Sequence, residues 1–151
     1  MRTLNIDWAD LELAFRDATG AQSFLDQESG EVLTLLRGFD DERDIKDKLK
    51  RFPDRFLKLA PLDKGFTHAA LAQFIGRVTG PLHNKLRAAF EGPGGIARAM
   101  ALLQDDKPTL ASFARFEQAE LVRAVESFLS AHGIRCGIEP PAPDLFEGLA
   151  S

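Results

Sequence analysis

Tyrosine is absent from this chain, and tryptophan occurs once, at Trp8, against twelve phenylalanines. Phenylalanine supplies packing area without a polar handle, so the bias favours core over recognition surface. Cysteine also occurs once. Cys136 has no intramolecular disulfide partner, which fits a reducing cytoplasm. One thiol and three scattered histidines (His68, His83 and His132) are too few, at the wrong spacing, for a zinc set. No apolar run approaches the ~20 residues that span a bilayer, and residues 1–7 lack the apolar core of a signal peptide. The expectation is a cytoplasmic protein with no membrane contact, no metal and no cofactor.

Motifs that carry chemistry are missing too. The chain has no Gly-x-Ser-x-Gly elbow, no Walker lysine loop and no dinucleotide fingerprint. Cys136 as a nucleophile needs a depressed pKa and a nearby base, and it lies next to the expected C-terminal tail. His132, near the end of a long helical stretch, reads as a complement to the helix dipole. Asp26, Glu28 and Glu31 cluster around one turn but lack the alternating ligands and distal glutamate of an EF-hand. No catalytic residue is expected. The enzyme alternative is an active site that is not visible in sequence.

What is present reads as helix-rich α+β. At 151 residues, 44% hydrophobic and 28% charged, the chain suits one domain with its own core. Residues 1–138 are expected to form that domain, and 139–151 a proline-rich linker and short apolar tail. Asp7 is a plausible N-cap for a helix with Trp8, Leu11, Phe15 and Ala18 on one stripe, and Gly20 suits its end. Residues 23–36 then place two apolar runs around Gln27-Glu28-Ser29-Gly30, a β-hairpin signal. Ile45, Leu49 and Phe52 mark a narrowly amphipathic helix whose acids precede its bases. Phe56-Leu57-Lys58-Leu59 alternates weakly and suits a third strand. Three short helices follow, separated by Gly80-Pro81 and by Gly92-Pro93-Gly94-Gly95. The longest helix is expected from Thr109 to His132, with Gly133 as its stop. The expected architecture is a small antiparallel hairpin or three-stranded sheet covered by about five helices.

The net charge of −4 conceals a separation. Positions 46 to 98 hold eleven bases and four acids, a net of +7, so the remainder nets −11. Such a split points to an anionic partner or to self-association between unlike segments. The candidate anion or nucleic-acid residues are Lys46, Lys48, Lys50, Arg51, Lys85, Arg87, Gly94, Gly95 and Arg98. The glycine turn offers free N–H groups at a helix start with Arg98 one turn in. A second candidate is the tail, where Leu145, Phe146 and Leu149 form a short apolar motif.

The order of several motifs resembles a group of small bacterial cytosolic proteins known only as an uncharacterised protein family. The features are Phe24-Leu25-Asp26 followed by Gly30 and Val32, then Pro53-Asp54-Arg55-Phe56, then Gly92-Pro93-Gly94-Gly95-Ile96-Ala97-Arg98. Phe113, Phe116, Phe128-Leu129 and Gly133-Ile134 complete the pattern on the last helix. Phe113 and Phe128 stand where that pattern carries tryptophan, and Ile96 and Ala99 stand where aromatics usually follow the turn. The resemblance implies an α+β fold with helices over a small sheet, and no activity.

The functional expectation is a non-catalytic interaction or regulatory domain that binds a partner protein, with a homodimer as one form of that. The alternative is nucleic-acid or phosphate binding through the basic segment 46–98.

Overall fold

The computed structural model describes residues 1–17 and 20–141. It is an α+β, helix-rich architecture. Its described elements fall into two compact units, one comprising Met1–Leu62 with Arg123–Pro140 and the other built on Asp63–Val122.

Among the described residues, the first unit carries all the strands. A three-residue strand β1 (Arg2–Leu4) precedes helix α1 (Trp8–Arg16). The Asp7 carboxylate accepts a 2.8 Å hydrogen bond from the Ala9 N–H, so the expected N-cap forms. Trp8, Leu11, Ala14 and Phe15 are its buried stripe. Strands β2 (Gln22–Asp26) and β3 (Val32–Leu35) make the hairpin, pairing Leu25 with Val32 and Gln22 with Leu35. Gly30 closes the turn at φ +82°, and a Cβ there would stand 2.5 Å from the Asn5 carbonyl oxygen, so only glycine fits.

Helix α2 (Glu42–Arg51) follows, burying only Ile45. Strand β4 (Phe56–Lys58) then pairs antiparallel with β2, giving a sheet of order β3-β2-β4. The last strand, β5 (Ile134–Cys136), runs parallel to β1 with Arg2 opposite Ile134. Beyond it, the Trp8 indole N–H donates to the Ile138 carbonyl at 2.8 Å. The Cys136 thiol donates to the Ile6 carbonyl at 3.3 Å. Phe15 and Phe128 meet edge to face, 5.5 Å between centroids.

The second unit is helical: α3 (Phe66–Ile75), α4 (Pro81–Phe90), α5 (Gly95–Gln104) and the first part of α6 (Lys107–Ala131). Leu71, Phe74, Ile75, Leu86, Leu103 and Phe113 are among its buried core. Pro81 takes the first helical position, as its fixed φ and missing N–H allow. Helix α6 begins earlier than Pro108 suggested, because the Asp106 carboxylate accepts from the Thr109 N–H at 3.1 Å and caps the start. Ala18 of the expected first stripe, and most of the proline-rich segment with its tail, lie outside the described residues.

Candidate functional site

Two features of the first unit have enough built structure to consider, one at each end of the hairpin. At the turn, Asp26 is buried at 4% exposure and fully engaged. Its Oδ1 accepts from the Glu28 N–H at 2.9 Å, the Ser29 N–H at 3.3 Å and the Arg55 Nε at 2.9 Å; its Oδ2 accepts from the Arg55 Nη2 at 2.8 Å. The Arg55 bond, helped by those two main-chain donors and opposed by burial, holds this carboxyl far below its ordinary range. The same pairing raises the pKa of Arg55. Glu28 adds a 3.3 Å contact to the guanidinium, and the Phe52 and Phe56 rings lie 5.7 and 5.5 Å from it. Every strong donor and acceptor here is spent within the fold, so this is a staple.

The open edge of the sheet is different. On β2, the Ser23 carbonyl accepts from the Leu59 N–H at 2.9 Å on the β4 side, whereas the Asp26 N–H donates to the Glu31 carbonyl at 2.8 Å on the β3 side. Hydrogen-bonding direction alternates residue by residue along an antiparallel strand. Ser23 and Thr34 are therefore a non-hydrogen-bonded pair, as are Leu25 and Val32. Their close side chains agree: the Ser23 and Thr34 hydroxyls lie 3.2 Å apart. It follows that the N–H and C=O of Val32 and Thr34 point away from β2. No other main-chain or side-chain hydrogen bond to those groups occurs among the described residues.

Each face beside this edge carries a groove. One, of about 840 Å³, is lined by Ala9, Leu13 and Ala14 of α1 with Ser23, Thr34 and Leu36. The other, of about 560 Å³, is lined by Gln22, Leu35, Arg37, Glu42 and Lys46 among others. Thr34 thus borders the α1 groove and Leu35 the α2 groove, as strand alternation requires, while Leu36, past the end of β3, lines both. Leu13 is 72% exposed and Leu36 37%. Proteins usually blunt such an edge with charge, proline or a cover. Here the flanking charges are Glu31 and Arg37.

The sequence-predicted binding residues are distributed. Lys46, Lys48, Lys50 and Arg51 lie exposed on α2 of the first unit, with Lys46 paired to Glu42 at 2.8 Å and Arg51 to Asp47 at 3.2 Å. Lys85 and Arg87 are exposed on α4 of the second unit. Arg98 turns back from α5: its guanidinium donates to the Ala89 and Pro93 carbonyls at 2.8 Å and also to the Glu91 carbonyl. It therefore ties the end of α4 to the glycine turn. Gly94 lies exposed in that turn with positive φ, and Gly95 is buried against Phe90. Leu145, Phe146 and Leu149 fall outside the described residues.

The histidines are separated. His68 stacks on Phe90 at 4.6 Å, His132 on Phe128 at 4.8 Å, and His83 Nδ1 lies 2.9 Å from the Ile75 carbonyl oxygen. Among the described residues no group of three His, Cys, Asp or Glu side chains is placed to hold a metal ion, and no helix is long and apolar enough to cross a membrane. The β3 edge was missed in sequence because its signal is relational. Which strand lies outside depends on β4 pairing with β2. No protein-family model matches the chain, and no curated protein or solved structure matches it.

Proposed function

We propose that the protein is a cytoplasmic, non-catalytic interaction domain that takes up a partner polypeptide by strand addition along β3. The observation that carries this reading is the outward-pointing main chain of Val32 and Thr34 between two grooves. Strand addition draws affinity from main-chain hydrogen bonds and specificity from pockets for alternate side chains. A strand laid beside β3 sends alternate residues toward the Leu13 and Leu36 side and toward the Leu35 and Arg37 side. The exposed leucines supply apolar contact on one face, and the charges of α2 supply polar contact on the other.

The test is affinity capture from source cytosol with nuclease present, comparing the native chain with Thr34→Pro. Proline removes an N–H that points outward, so no ladder bond to β2 is lost. The expected result is a stoichiometric polypeptide retained by the native chain and released by Thr34→Pro, with the circular-dichroism melt of the variant near native. Equal retention by both proteins overturns the reading. So does recovery only while nucleic acid is intact, which would favour the basic residues of α2 and α4.

A further inference from the structure

Resting on the strand-addition reading, we infer that the segment taken up is apolar on one face and acidic on the other. Its apolar side chains turn toward α1, and a carboxylate turns toward α2 at the Leu35 end of β3. Strand β3 stops there: the Leu36 carbonyl accepts from the Phe39 N–H at 3.3 Å, and Arg37 lies in that turn. The ladder open to a partner is therefore only Val32 to Leu35, with outward main chain at Val32 and Thr34. So short a ladder supplies few hydrogen bonds, and the side chains beside it must select which strand is held.

An incoming residue opposite Thr34 projects to the α1 side. The polar groups of that groove are already engaged. The Ser23 and Thr34 hydroxyls lie 3.2 Å apart, and Glu12, Arg16 and Asp17 each interact within the fold. The open surface that remains is Leu13 and Leu36 beside Ala9, with Leu13 72% exposed. This side takes an aliphatic or aromatic side chain. A charged one would give up water here without gaining a partner.

An incoming residue opposite Leu35 projects to the other side, where the balance is reversed. Both oxygens of Glu42 are taken there: Lys46 Nζ lies 2.8 Å from Oε1, and the Gly38 N–H donates to Oε2 at 2.7 Å. The Lys46 bond, and the Gly38 N–H after it, hold the Glu42 carboxyl below its ordinary range, with Arg37 contributing least. Arg37 lines the same groove, is exposed, and makes no hydrogen bond or ion pair among the described residues. Its guanidinium brings an unspent fork of donors to the end of β3, a geometry that takes a carboxylate bidentately. Arg37 and Lys46 against Glu42 leave this groove net positive. The whole chain carries −4 and repels an acidic segment, so a preference for one has to come from a local site.

The experiment is fluorescence anisotropy of the full chain with two short labelled peptides, one alternating valine with glutamate and the other valine with lysine. The glutamate peptide is expected to bind about tenfold more tightly. Arg37→Gln is expected to remove most of that preference and Arg37→Glu to reverse it. Both variants should melt near native by circular dichroism, because Arg37 is exposed in a turn. Thr34→Pro is expected to abolish binding of both peptides. Equal affinity for the two peptides, or a preference that survives Arg37→Gln, overturns the acidic partner. If binding is nonetheless lost in Thr34→Pro, strand addition stands and only the partner's chemistry changes. Binding untouched by Thr34→Pro overturns both, because the peptide then sits elsewhere, as on Lys48 and Lys50 of α2. Binding of neither peptide also overturns the acidic partner, and capture from cytosol then decides strand addition alone.

Discussion

Arg55 closes on Asp26 through two hydrogen bonds, Nε to Oδ1 at 2.9 Å and Nη2 to Oδ2 at 2.8 Å. The contact joins two motifs that lie 29 residues apart: the hairpin's Phe24-Leu25-Asp26 and the Pro53-Asp54-Arg55-Phe56 that leads into β4. It pins one end of the β2–β4 pairing, where Asp26 stands opposite Phe56. The Gln27 N–H donating to the Arg55 carbonyl at 2.9 Å and the Gln27 side chain donating to the Asp54 carbonyl at 3.2 Å reinforce this.

Asp26→Ala leaves two main-chain N–H groups and a guanidinium without their acceptor. The expected cost is about 2 kcal/mol, from unsatisfied donors at a buried position. Arg55→Lys keeps the charge and loses the fork, so it should recover only part of what Arg55→Ala loses. Trp8 is the only tryptophan and belongs to the same unit, so its fluorescence in a urea titration reads this unit selectively. An Asp26→Ala midpoint equal to native would remove the staple from the account.

The same carboxylate predicts a pH dependence. Its native pKa lies below the ordinary 3.8, chiefly through Arg55. A depressed native pKa means that the unfolded chain binds the proton more readily. The stabilisation is therefore complete above the ordinary value and is lost as pH falls through the native one. The gap in urea midpoint between native protein and Asp26→Asn should stay constant from neutral pH to about pH 5 and narrow below about pH 4. A gap that widens on acidification contradicts the assignment.

In the second unit, a Cβ on Gly95 would stand 1.9 Å from the Phe90 carbonyl oxygen. Gly95→Ala must push the end of α4 from the start of α5, at an expected cost of about 3 kcal/mol. Arg98→Ala only frees carbonyls that water can reach, so its melting midpoint by circular dichroism should fall less than that of Gly95→Ala. The reverse order would show that the guanidinium, rather than the close approach, holds this turn.

Much of this was legible locally. Asp7, Gly30 and Pro81 each carry a backbone preference that needs no distant partner, and each stands at the cap, turn or first helical position read for it, whereas α1 ends at Arg16 with Asp17 as its C-cap, short of Gly20. The hidden parts depend on distant pairings. Strands β1 and β5 have three residues each, too few for an alternating pattern, and exist because Arg2 meets Ile134 across the chain. Asp26 and Arg55 were visible as motif members, but their contact was not. Arg98 looked like an anion ligand because its carbonyl partners come from the turn's own fold. Asp106 was passed over as a cap in favour of the proline two residues on.

The β3 edge makes a prediction at single-residue resolution. If Ser23–Thr34 and Leu25–Val32 are non-hydrogen-bonded pairs, the Leu33 and Leu35 amides point into the sheet and those of Val32 and Thr34 point out. In dilute solution, amide hydrogen exchange by NMR should alternate along β3, with Leu33 and Leu35 protected and Val32 and Thr34 fast. Uniform protection along β3 at every dilution would mean that its outer edge is already covered, and strand addition would have no place to occur.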